Sequence, residues 1–171
     1  MTAYESILSR RSVRKYRSTQ ITDSELEAVL KAGIYAPTAM NRQSPKIVAV
    51  QNSEDIALMS RLNASVMGGS GDPFYGAPTV IVVFADSENK NGVQDASLVM
   101  GNLMNGAYAL GLGSCWINRA KEVFELPEGK ALMKKWGVDE KYVGVGNCIV
   151  GYADETPEPK PRRDDYCITV R

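Results

Sequence analysis

Between residues 93 and 110 the chain carries one formal charge, Asp95, while Val93, Ala96, Val99, Met100, Leu103, Met104, Ala107 and Tyr108 wrap most of a helix circumference. A helix apolar nearly all round is buried, either in a large core or at a subunit interface. Gly111 and Gly113 end it, and Ser114-Cys115-Trp116-Ile117 then reads as a short strand. Val80-Ile81-Val82-Val83-Phe84 is an unbroken apolar run, the pattern of a central strand covered on both faces. With 171 residues the chain is read as one domain. A chain of that size buries about 70% of its unfolded surface.

Two capping boxes open helices nearer the N-terminus. Thr2 with Glu5 precedes Tyr4, Ile7 and Leu8 on one face of a helix that should end near Arg10. Thr22 with Glu25 precedes Leu26, Val29, Leu30 and Ile34, and Pro37 forbids continuation. A polar loop, residues 37–45, leads to a strand at 46–51, after which Ser53 can cap a helix through Val66. Gly68-Gly69-Ser70-Gly71-Asp72 is a flexible loop and a lid candidate. Lys121 to Leu126 and Gly129 to Trp136 read as short helices separated at Pro127, and Tyr142 to Tyr152 as an apolar strand.

The C-terminal segment cannot be a helix or a central strand, because Pro157, Pro159 and Pro161 occupy alternate positions. Run out at about 3.1 Å per residue, residues 151–163 span roughly 40 Å, enough to cross a partner subunit. Tyr166-Cys167-Ile168-Thr169-Val170 then has strand composition but no nearby hairpin partner, so pairing with another chain's sheet is one solution.

The chemistry is bounded by what is missing. The sequence has no histidine, which excludes Ser-His and Cys-His nucleophile pairs and imidazole-dependent zinc sites. Cys115, Cys148 and Cys167 stand far apart, which fits reduced thiols in the cytoplasm, with Cys115 a buried structural thiol. Lys plus Arg and Asp plus Glu both number 20, so no whole-molecule field gathers nucleic acid or a membrane surface, and any anion site is local. No apolar run approaches a membrane span, and the N-terminus turns polar by Ser9-Arg10-Arg11.

Such a local site is visible in the first 17 residues, where five cations, Arg10, Arg11, Arg14, Lys15 and Arg17, face only Glu5, a net +4. Guanidinium forks and the Ser12 hydroxyl suit a phosphate's acceptor oxygens, although a solvated cationic helix end has the same appearance. Lys160-Pro161-Arg162-Arg163 can supply the other side of such a site or simply solubilise a linker. In the 37–45 loop, Asn41 and Gln43 each present donors and an acceptor, as reading a flat heterocycle with N–H and C=O edges requires, or as a polar turn contains anyway. Gly111-Leu112-Gly113 is not a dinucleotide fingerprint, because it follows a helix and precedes a strand.

In order along the chain, five segments resemble the FMN-dependent nitroreductase family. They are Arg10-Arg11-Ser12-Val13-Arg14, Ala36-Pro37-Thr38-Ala39-Met40-Asn41-Arg42-Gln43, Phe74-Tyr75-Gly76-Ala77-Pro78, Gly111-Leu112-Gly113-Ser114-Cys115-Trp116-Ile117 and Pro159-Lys160-Pro161-Arg162-Arg163. The resemblance implies an α+β fold, a central mainly antiparallel sheet flanked by helices, in an intertwined homodimer whose C-terminal arm, residues 152–171, lies on the partner. It also implies FMN at the dimer interface. Arg10, Arg11, Ser12 and Arg14 would hold the phosphate and ribityl chain, Arg11 also reaching the ring. Arg162, with Lys160 and Arg163, would complete the phosphate site. Pro37, Thr38, Ala39, Asn41 and Gln43 would reach the flavin from the opposite subunit, and Asn118 would stand near its reactive edge, with Arg119 beside it. Ser44-Pro45 follows Gln43 where many members continue with Pro-Trp, and the chain lacks a helical insertion of larger members.

The implied activity is ping-pong hydride transfer from NADH or NADPH through flavin N5 to a small oxidised acceptor such as a nitroaromatic, quinone or flavin, with no catalytic side chain. Other flavin reactions of the wider family, dehalogenation, small-substrate oxidation and flavin fragmentation, are not separated by these patterns. Neither is a protein that only stores or senses FMN. A nucleic-acid or acidic-protein binder is disfavoured by the neutral charge and by Tyr16 being the only aromatic among the N-terminal arginines.

Overall fold

Both capping boxes form as read. Thr2 opens α1 (Ala3–Ser9) by accepting from the Glu5 amide at 3.2 Å while its own amide donates to the Glu5 carboxylate at 2.8 Å. Thr22 and Glu25 repeat the arrangement at the start of α2 (Asp23–Ile34). The computed structural model describes residues 2–171. After a 3₁₀ turn at Ala39–Asn41 follow β1 (Lys46–Val50), α3 (Ser53–Val66), β2 (Thr79–Asp86), α4 (Gly92–Ala109) and β3 (Gly113–Ile117). The chain continues through α5 (Ala120–Glu125), α6 (Pro127–Lys135) and β4 (Tyr142–Gly151), with a last 3₁₀ turn at Asp164–Tyr166. Two local readings are corrected. Asn52, not Ser53, caps α3, its side chain accepting from the Asp55 amide at 2.9 Å. Pro127 does not separate two helices but begins the second, where a missing N–H costs nothing.

The four strands form one antiparallel sheet in the order β1-β2-β4-β3. The β-branched run of β2 is central, and its residues from Thr79 to Ala85 are all buried. Val80, Val82 and Phe84 face one core with Cys115, Ile117 and Ile149, covered by α3, α5 and α6. Ile81, Val83 and Ala85 face the other with Cys148 and Val150, covered by α2 and α4. Helices on both faces of an antiparallel sheet make the α+β architecture expected from the sequence.

The apolar helix α4 is buried on its sheet side through Ala96, Val99, Met100, Leu103 and Ala107. Its outer side is not covered by this chain, since Val93 and Leu98 remain 55% and 49% exposed and a Cβ at Gly101 would meet nothing within 4 Å. In α1 the apolar face is likewise outward. Tyr4, Ile7 and Leu8 are exposed while Ser6 is buried, its hydroxyl donating to the Asn105 carbonyl of α4 at 3.0 Å. Of the two alternatives left by composition, the large core accounts for only half of α4.

Beyond β4 the chain is tied down as far as Asp154, whose amide donates to the Lys15 carbonyl at 2.9 Å. Residues 158–171 are all exposed, and within a single protomer Tyr166–Val170 forms no strand: the 3₁₀ turn takes its first residue and the rest continues without ladder bonds. A strand exists only with a partner strand, and the tail pairs with neither edge strand, β1 or β3, of its own sheet. Tyr166, Ile168 and Val170 consequently stand 85%, 89% and 92% exposed.

Candidate functional site

The arginine-rich segment is fastened to one end of the sheet. Ser12 bridges Ser114 at the start of β3, and the Val13 amide donates to the Ser114 carbonyl at 3.0 Å. Tyr16 bridges Ala153 just past β4, and its hydroxyl donates back to the Val13 carbonyl at 2.8 Å. The tight fit at Gly113, where a Cβ would lie 3.1 Å from Val13, explains why glycine begins β3. Burial, aided by the neighbouring Cys115 and Cys148 thiols, pushes the Tyr16 hydroxyl far above its ordinary range, so it serves as a neutral donor. Burial likewise pushes the Cys148 thiol up to about 12, with the Arg10 charge pulling the other way. Cys115 and Cys148 are both buried free thiols, which fits the structural reading of Cys115.

The individual side chains of this segment differ in what they leave available. Arg10 caps α1 through its amide, which donates to Ser6 at 2.9 Å, and its Nη1 is buried without any hydrogen-bond partner. The Ser114 hydroxyl, on the residue bridged to Ser12, is also buried without a partner. Arg11 turns Nη1 to the carbonyls of Leu8 and Arg10, at 2.8 and 2.9 Å, so part of its fork closes α1. Arg14 donates its amide to the Glu155 carboxylate and exposes its side chain.

At the opposite end of the sheet the 37–45 loop takes an unusual backbone. Met40, Asn41 and Gln43 have φ of 55°, 53° and 51°, the left-handed region that costs non-glycine residues of order 1–3 kcal/mol each. The strain is held by side chains. The Gln43 amide donates to Thr38 Oγ1 at 3.0 Å, Gln43 Nε2 to Asn41 Oδ1 at 3.1 Å, and the Ala39 amide to Asp95 Oδ1 at 2.9 Å. Asn89 Nδ2 links the other Asp95 oxygen, at 3.2 Å, to Ser44 Oγ at 2.7 Å. Asp95 is thus the buried anchor of the loop, a role missed in the sequence, where only its isolation in an apolar helix marked it. Pro37, Asn41 and Gln43 are exposed, and Thr38 and Ala39 half-buried.

Asn118 lies at the far end of β3 from Ser114, exposed in the turn before α5. The next residue, Arg119, has φ of 76° and pairs with Glu122 at 2.9 Å. The Asn118 carbonyl accepts from Asn63 Nδ2 of α3 at 3.0 Å. Lys160, Arg162 and Arg163 are exposed on the tail, and Arg163 already lays its fork on Asp165.

These pieces do not meet within one protomer. Ser12 is bridged beside the Val150 end of β4, whereas Ser44 and Lys46 adjoin the Asp86 end of β2, about 23 Å away at 3.3 Å per residue. Along α4 the two regions are likewise apart, with Asp95 holding the 37–45 loop near one end and Asn105 holding Ser6 near the other, about 15 Å along the axis. A concavity of about 850 Å³ between α5, α6 and the start of β4 is lined by residues such as Phe124, Lys134 and Tyr142 and by none of the residues expected to bind a cofactor.

One half, at the Ser12 end of the sheet, has donors a phosphate needs, the Arg10 guanidinium nitrogen and the Ser114 hydroxyl, both buried without partners. The far loop offers amide groups on a strained, anchored backbone. The residues present therefore fit FMN, each half to a different part of it.

Comparison with known proteins gives the same reading. The family model described as the nitroreductase family matches residues 7–69 and 64–152. A relative from Archaeoglobus fulgidus, whose name couples NADH dehydrogenase with NAD(P)H nitroreductase, is 32% identical, covering 94% of this chain and 87% of its own length. The NADPH-flavin oxidoreductase of Vibrio harveyi is 26% identical over 96% of this chain and 71% of its own. The crystal structure of a nitroreductase with bound FMN from Bacteroides fragilis superposes with a TM-score of 0.89 at 27% identity, covering 100% of both chains. A match that spans both fastened loops and all four strands leaves no segment between them to another architecture: the chain belongs to the nitroreductase family.

Proposed function

We propose that this protein is an FMN-dependent NAD(P)H oxidoreductase that works as a homodimer and passes hydride to a small oxidised acceptor. The observation that carries the proposal is the Arg10 Nη1 atom, buried and without a partner on a segment bridged to β3. A buried donor left unpaired is costly, and an anionic ligand oxygen relieves that cost. Relatives named NADPH-flavin oxidoreductase and FMN reductase [NAD(P)H] support the same activity.

FMN, when bound, supplies a ring that accepts a hydride and gives it up again, so the absence of histidine is no obstacle. Arg10, Ser12 and Arg14 hold the phosphate and ribityl chain, and Arg11 contributes the part of its fork not spent on α1. Ser114 and Asn118 stand about 13 Å apart along β3 at 3.3 Å per residue, so one strand relates the phosphate end to the ring end. Pro37, Thr38, Ala39, Asn41 and Gln43 come to the flavin from the second copy, because the sheet separates them from Arg10 in their own. Arg162 and Lys160 join the phosphate from the extended arm, residues 152–171, and Arg163 contributes less while Asp165 occupies it. The uncovered sides of α1 and α4 form the seam between copies.

Purified protein should be yellow, sediment as a dimer, and bleach under NADH or NADPH without oxygen. A colourless monomer that ignores added FMN overturns the proposal.

A further inference from the structure

Asn63 is an odd residue for its place. It is 0% exposed on the inner face of α3, beside Met59 and Ala64, above a core otherwise made of apolar side chains. Its Oδ1 has no partner, so burial leaves half the amide unsatisfied, and a leucine there would avoid that penalty. Its one hydrogen bond runs from Nδ2 to the Asn118 carbonyl, 55 residues away, at 3.0 Å. A second buried amide, Asn147 on β4, pairs directly with Ile117 at the end of β3 and also has an unpartnered Oδ1. Polar groups therefore gather beneath one feature, the turn at Asn118 and Arg119, where Arg119 takes the left-handed backbone that a non-glycine residue adopts only when its surroundings impose it.

We infer that Asn63 is a positioning residue for hydride transfer, its buried amide holding the Asn118–Arg119 turn in place at the edge of the flavin site. The inference rests on the proposed function for the location of the flavin ring, while the bond and the strained turn are independent of it. The Asn63 amide pulls on the last carbonyl before the left-handed residue and so sets the direction in which the chain leaves β3. Gly144 limits movement on the other side, since a Cβ there would come within 2.6 Å of the Ala120 backbone. Between these supports the turn has little freedom, and reacting groups must be held closely for efficient transfer.

The test uses Asn63→Leu, which removes the donor, and Asn63→Asp, which keeps the shape. Hydrogen exchange on the FMN-free protein reads the turn directly and does not depend on the enzymatic reading. The Val123 amide, which donates to the Arg119 carbonyl of the turn at 3.0 Å, should exchange at least tenfold faster in both variants, with the amides of β2 unchanged. In FMN-loaded protein, reduction of the flavin by NADH should slow at least tenfold while FMN affinity stays within threefold of the wild type. Asn63→Asp should regain rate as pH falls, because a protonated carboxyl can donate to the Asn118 carbonyl, and Asn63→Leu should not. Unchanged exchange at Val123, a rate loss explained by lost FMN, or the same pH response in both variants overturns the inference. So does failure of both variants to fold, which would make Asn63 a folding element. If wild-type protein binds no FMN while the exchange result holds, the proposed function fails and the structural link between Asn63 and the turn stands.

Discussion

Arg10→Met tests the phosphate assignment because it should move stability and affinity in opposite directions. Without cofactor, Arg10 keeps a charged nitrogen buried and unpaired, while its amide caps α1 whatever the side chain. Leaving such a donor unsatisfied costs about 1–3 kcal/mol. Arg10 as a whole is only half-buried, so about 1 kcal/mol is the appropriate end of that range. Methionine fills similar space with no polar group, so the FMN-free variant should melt roughly 2–4 °C higher than the wild type. The same change removes a charge-assisted contact to phosphate and should weaken FMN binding by about 1.5–3 kcal/mol, roughly 10- to 150-fold. Thermal melts of the FMN-free proteins and titration of flavin fluorescence give both numbers. Unchanged affinity would refute the assignment, and a lower melting temperature would refute the claim that the buried nitrogen is a liability awaiting a ligand.

Arg162→Ala should loosen FMN by about tenfold or more, and Arg163→Ala by much less, since Asp165 already engages the Arg163 fork; equal losses in flavin titrations would contradict this division. Asp55, buried between α3 and α6, accepts from Lys135 Nζ at 2.6 Å and Trp136 Nε1 at 3.0 Å, and these bonds hold its carboxyl below the usual range. The stabilisation is therefore complete above the unfolded pKa near 3.9 and is lost as pH falls through the lower folded value. Asp55→Asn should cost about 1–2 kcal/mol at pH 7, discounted for the exposed Lys135, and progressively less in strong acid. Denaturant melts that show a constant difference with pH would rule this out. Gly101→Ala adds a methyl to open space on α4 and should stabilise an isolated protomer by about 0.5–1 kcal/mol. If α4 forms the seam, sedimentation should instead show a weakened dimer, and a variant that is both more stable and equally dimeric would remove α4 from the interface.

Features set by near neighbours were legible in the sequence. Thr2 with Glu5 and Thr22 with Glu25 need only four consecutive residues to satisfy the first free amides of a helix, and both boxes formed. The run from Val80 to Phe84 declared a strand buried on both faces, because no polar residue interrupts it. Family resemblance, carried by five ordered motifs, supplied the fold. The roles of Asp95 and Asn63 were beyond reach, since each depends on a bond to a backbone group 56 or 55 residues away, which neither the isolation of Asp95 in an apolar helix nor the surroundings of Asn63 in the sequence specify. The tail shows the same limit: Tyr166 to Val170 has the composition of a strand, but composition cannot supply the neighbouring ladder that makes one, and within a single protomer the segment has none.

The sequence by itself determined where most helices and strands form and that a cationic cluster lies near the N-terminus, because capping, side-chain periodicity and charge are short-range properties of the chain. Only the tertiary structure decided that Arg10 keeps a nitrogen buried without a partner, that Asp95 holds a strained loop, and that the two polar loops occupy opposite ends of one sheet. Those outcomes depend on strand register and on which helix crosses which face, and so on contacts between residues distant in the chain.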